Sequence, residues 1–138
     1  MTSPLRSYAD VEELLVGYLQ GLYPTARVCT ETPAQLPSGI TIQVVRIAGV
    51  DRDAVDDATV SVDVYAGGDN SQAGNRITAT QVANQIRAYL RLNAIGYTNG
   101  SATIAAVATI SGPGWRPYDN TNVRRVGATY SVTVHNHQ

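Results

Sequence analysis

The chain has 138 residues and a mass of 14.7 kDa, the size of one domain that can bury its own core without disulfides or metals. Its 43% hydrophobic and 15% charged residues exclude disorder throughout, and 10 basic against 11 acidic side chains speak against a protein held on nucleic acid by phosphate contacts. One cysteine, Cys29, excludes an internal disulfide framework, and no apolar run approaches the ~20 residues that span a bilayer.

The first six residues, Met1 to Arg6, hold no apolar stretch of the kind that opens a secreted chain, so a protein made in a cytoplasm is expected. Every positive charge is an arginine, a pattern a GC-rich genome produces and a permanent interface also uses. Phenylalanine is missing, and eight tyrosines with Trp115 supply the aromatics, which suits half-buried surfaces.

Val11, Leu14, Leu15, Tyr18, Leu19 and Leu22 repeat as one face of a helix, predicted from about Tyr8 to Leu22. Ser7 is the expected cap, with Asp10 three residues on, and Gly21 and Pro24 mark the stop. Three strands are predicted next: Arg27 to Glu31, Ile40 to Ile47 and Thr59 to Tyr65. In the third, Val60, Val62 and Val64 alternate with Ser61, Asp63 and Tyr65. Between the last two, Gly49 to Asp57 reads as a long acidic hairpin loop carrying Asp51, Arg52, Asp53, Asp56 and Asp57.

Gly67 to Ser71 is a predicted turn into a second helix, about Gln72 to Asn93, with Ala79, Val82, Ala83, Ile86 and Leu90 as its apolar stripe. Arg76, Arg87 and Arg91 fall on its outer side, and Gly96 ends it. Two strands follow, Ala102 to Ile110 and Val126 to His135. The intervening Ser111 to Arg125 reads as a long loop holding Trp115, Arg116, Tyr118, Arg124 and Arg125. The order α-β-β-β-α-β-β predicts one α+β domain over residues 1–138, with a mostly antiparallel five-stranded sheet and both helices on one face.

No catalytic constellation emerges, and no cofactor or metal site is expected. His135 and His137 stand two apart near the end of the chain, where a frayed tail is the simpler reading than a metal site without a third ligand. Cys29 reads as a small packing residue. The aspartates at 51–57 lack the glycine and terminal glutamate of a calcium loop, and Gly67-Gly68-Asp69 lacks the lysine and hydroxyl of a phosphate cradle. The basic and aromatic set Trp115, Arg116, Tyr118, Arg124 and Arg125 is the strongest surface signal. It fits a protein partner, since Trp, Tyr and Arg dominate binding hot spots, or an internal role in which Trp115 covers a sheet edge and Arg124 or Arg125 pairs with acidic neighbours.

The element order, the early helix Asp10 to Leu15, the stretch Leu36 to Ile40 and the strand Val60 to Ala66 resemble tail terminator proteins of long-tailed bacteriophages. The block Gly112 to Asp119, followed by Val123 to Tyr130, is similar to terminators from phages of actinobacteria. The resemblance implies a structural virion protein at the tail–neck junction, assembled in the host cytoplasm as a homo-oligomeric ring, usually six-fold. Such a ring stops polymerisation of the tail-tube protein, offers a docking surface to the head-side neck protein, and lets DNA pass through its lumen unread. It also implies that projecting loops make these contacts, here at Gly49 to Asp57 and Ser111 to Arg125. Carboxylates of one subunit would meet arginines of the next. A neck (connector) protein, a tail-tube subunit and, further off, a small hydrolase are the other readings.

Overall fold

The computed structural model describes residues 10–31, 39–52, 55–67, 72–116 and 123–137, with the backbone alone at 51–52 and 72–76. Ser7, Asp53, Tyr118 and the turn at 68–71 lie outside them.

Helix α1 spans Val11–Leu22, one turn shorter than the periodicity suggests. Asp10 is itself the cap: its backbone is extended and its Oδ1 accepts a hydrogen bond from the Glu12 amide at 2.8 Å. Glu12 and Glu13 sit in the first turn, where the helix dipole favours them. Strand β1 (Arg27–Cys29) is followed by β2 (Gly39–Arg52), β3 (Val55–Gly67), helix α2 (Gln72–Leu92), β4 (Ala102–Arg116) and β5 (Arg124–Asn136). Gly96, with φ near 95°, takes the left-handed turn after α2 that a side chain would resist.

The described strands form one sheet in the order β1-β2-β3-β5-β4. Only β1 and β2 run parallel; the other three pairings are antiparallel. The chain leaves β3, crosses through α2 to β4, and returns as β5 into the gap between them. The predicted fold class and element order are therefore the ones observed.

Both helices cover the same face. Tyr18 packs edge-on against Tyr97 and donates to the Tyr89 carbonyl at 3.3 Å, while the Tyr23 hydroxyl reaches Gln85 Oε1 at 3.0 Å. Beneath them lie Leu14, Leu15 and Leu19 of α1, Ile86 and Leu90 of α2, and the even-numbered residues of the sheet, Ile42, Val44, Val60, Val64, Tyr130, Val132 and Val134. Each fully buried aliphatic side chain contributes roughly 1.5–3 kcal/mol, so this one cluster organises the domain.

The strands outrun their predicted ends in two places. The acidic segment is not a long loop: β2 continues to Arg52 and β3 begins at Val55, so only residues 53–54 connect them. Asp56, a buried carboxylate that a strand would normally reject, is tolerated because Arg46 pairs with it. The second case is β4, which continues through Gly112, Pro113 and Gly114 to Arg116. Pro113 looks like a strand breaker, yet β4 is an edge strand whose register shifts between Ser111 and Gly114, so the missing N–H of Pro113 costs no ladder hydrogen bond. Within the segment predicted as a loop, Ser111 to Arg116 and Arg124 to Arg125 are therefore strand. In contrast, β1 stops at Cys29, short of the expected Glu31.

Candidate assembly surfaces

Three surfaces contain the residues that the sequence singles out. The first is the β2–β3 hairpin. Arg46 and Asp56 form a two-pronged ion pair, with Arg46 Nη2 2.8 Å from Asp56 Oδ1 and Nη1 on Oδ2. Asp56 is buried, whereas the Arg46 side chain is 31% exposed. Asp57 accepts from the Thr133 hydroxyl at 2.9 Å. Both carboxylates therefore have partners within their own chain. Asp51 and Arg52 are strand residues paired with Asp56 and Val55, and nothing is described of their side chains.

The second surface is the sheet face that carries no helix. At its centre Asp63 is nearly fully buried and accepts from Arg116 Nη1 at 2.8 Å, Arg125 Nε at 3.1 Å and the Ser61 hydroxyl at 3.1 Å. Arg116 Nη1 also donates to Ser61 Oγ at 2.9 Å, and the Arg125 guanidinium lies 5.6 Å from the centre of the Tyr65 ring. Tyr65 in turn donates to Gln43 Oε1 at 3.1 Å. The internal reading of Arg125 is thus realised, and Arg116 shares it. Arg124 is half-buried beside Ala66 of β3. Asp63 is the residue the sequence reading passed over. Its signal was a carboxylate in the middle of a valine-rich strand, a position that demands a cationic partner.

The third surface is the sheet's two edges, where apolar side chains stand in solvent. On β4, Ile110 and Trp115 are 58% and 55% exposed, and on β2, Ile47 and Val50 are exposed to a similar degree. Leu92, the last residue of α2, and Ile95 just after it are also exposed. The edge of β2 is partly guarded: the Arg46 amide donates to Glu12 Oε2 at 2.8 Å. Sequence reasoning found Trp115 and missed the isoleucines, because exposure at a sheet edge depends on strand order.

The terminal histidines correct the frayed-tail expectation. His137 Nε2 lies 2.7 Å from Thr103 Oγ1, and its amide donates to the Ser101 carbonyl. Among the described residues no group of three His, Cys, Asp or Glu is placed to hold a metal. Burial pushes the Cys29 thiol upward, with Arg27 opposing, so the neutral thiol is favoured over the thiolate. No described helix is long and apolar enough to cross a membrane.

Comparison with solved structures finds a similar fold. One chain in the virion of a native gene transfer agent particle superposes on this protein with a TM-score of 0.56, at 15% sequence identity, covering 86% of this chain and 84% of that one. The two share a fold. No protein-family model matches the sequence, and no curated protein does.

Proposed function

We propose that this chain is a structural virion protein, not an enzyme: a tail terminator that assembles as a ring, six-fold in the usual case, at the tail–neck junction. The observation that carries the reading is the fold it shares, over most of both chains, with a chain of a gene transfer agent virion. The resemblance of the sequence to phage tail terminators supports the narrower role. Exposed apolar residues on both sheet edges suit a subunit that meets neighbours on two sides.

In this reading one end of the ring caps the last ring of tail-tube protein and the other receives the head-side neck protein. DNA crosses the lumen without base-specific contact, and no cofactor is needed. Trp115, Arg116, Arg124 and Arg125 lie on or beside β4, and Tyr118 is outside the described residues. Asp51, Arg52, Asp56 and Asp57 lie at the far end of the sheet; Asp53 is outside the described residues. Because Arg116, Arg125 and Asp56 already have internal partners, their contribution to contacts is to shape the surface more than to supply bare charge.

Cryo-electron microscopy of intact particles tests the role. Density for this chain directly above the last tail-tube ring is expected. Density one layer nearer the head makes it a neck protein, repeated density along the tube makes it a tube subunit, and a particle without the chain overturns the structural reading.

A further inference from the structure

The strand register places one exposed aromatic and one open cleft at the same height on opposite edges of the sheet. Trp115 of β4 is paired with Val126, Val126 with Val64, Val64 with Ile42, and Ile42 with Val28 of β1. At the level of Val28 a cleft of about 540 Å³ opens along the outer edge of β1, walled by Asp10, Glu13 and Val16 of the α1 end and by Arg27, Cys29 and Glu31. Trp115 pairs in register with a core-facing residue, so it belongs to the helix-bearing side of the sheet, the side on which α1 walls the cleft.

We propose that Trp115 of one copy seats in the α1–β1 cleft of a second copy of this chain. The inference deepens the ring reading and depends on it only for the presence of a second copy. The occupant fits chemically. An indole needs an apolar wall for its ring and an acceptor for its N–H, and the α1 side of the cleft supplies Val16 for the first and the carboxylate of Glu13 for the second.

A second pair of residues agrees with the first. Ile110 lies between Thr109 and Ser111, which lead across β5 and β3 to Arg46 and Val45; Ile47 lies in the irregular step just after Arg46. The two exposed isoleucines therefore also stand at nearly one level on opposite edges. Two copies set side by side in the same orientation bring Trp115 to the cleft and Ile110 to Ile47 together. Successive pairings make β4 antiparallel to β1 and β2, so such copies meet along antiparallel edges. The contact joins two different patches, which is the head-to-tail kind that closes into rings.

Trp115 is the sole tryptophan, so its fluorescence reports this contact alone. The full-length chain is to be examined across a concentration series for mass by light scattering, and for Trp115 emission and acrylamide quenching. The expected result is a blue shift and a loss of quenching that rise together with mass. Trp115→Ala and, separately, Glu13→Arg on the exposed wall of the cleft are each expected to weaken self-association by roughly thirtyfold, the range of an interface hot spot, with the circular dichroism of the fold retained. A monomer with quenchable Trp115 at every concentration overturns the proposal. So does an oligomer in which Trp115 stays quenchable, or a Trp115→Ala variant that assembles like the parent. Failure of the terminator role is separate: a ring built through this contact but found elsewhere in the particle leaves the contact standing. A ring at the tail end with Trp115 in solvent does the reverse.

Discussion

Arg116 lies across the backbone of Gly127: a Cβ built on that glycine would stand 2.6 Å from Arg116 Nη1 and would also meet the Asp63 carboxylate. The glycine is thus the floor on which the ion cluster of the open sheet face rests. Gly127→Ala is expected to displace Arg116 or Asp63 and to lower stability by about 2 kcal/mol, as overpacking at a well-filled site does. Urea denaturation measures it, and an unchanged midpoint would show that the guanidinium moves aside freely.

Asp63→Ala attacks the same cluster from its centre. It removes the acceptor shared by Arg116, Arg125 and Ser61 and leaves two guanidinium groups facing each other. Both arginine side chains remain about 30% exposed, so water relieves part of the loss. A cost of about 2–3 kcal/mol in urea denaturation is expected. Asp63→Asn keeps an acceptor and is expected to lose less.

Glu12 has two assignments, as a helix N-terminal acid and as the acceptor for the Arg46 amide on β2. Glu12→Ala is expected to cost about 1 kcal/mol, the usual value of one hydrogen bond, and to expose a strand edge. Thermal denaturation should show the first effect, and faster aggregation during heating the second. A variant that is as soluble as the parent would argue that Glu12 does not guard the edge.

Burial raises the Tyr130 hydroxyl to about 12, with the nearby Arg87 charge opposing, and burial likewise raises Tyr23 to about 12. In the unfolded chain a tyrosine ionises near 10. Folding therefore favours the protonated hydroxyl, and the stability tied to these two groups is fully present below pH 10. It is lost as pH rises from there through about 12. Tyrosinate absorbance of the folded protein is expected to show late-ionising groups, and Tyr130→Phe to remove one of them. If that variant leaves the late part of the titration unchanged, the assignment to Tyr130 fails.

Helix and strand identity were readable in the sequence because they rest on local periodicity. The 3.6-residue stripe of Val11, Leu14, Leu15, Tyr18 and Leu19 and the alternation of Val60, Val62 and Val64 each specify a buried face within a few turns or pleats. Element order, fold class and the core-facing set followed from that alone. Strand ends did not, because they depend on neighbours: Asp56 stays in β3 through Arg46, and Pro113 stays in β4 because that strand is at an edge. Arg116 and Arg125 look like a free basic surface in one dimension. They become partners of Asp63 only when strands 53 and 62 residues apart in sequence are placed side by side. The shared level of Trp115 and the α1–β1 cleft is further still from the sequence. It is the product of four successive strand pairings, and a slip of one residue in any of them would turn that strand's side chains to the opposite face.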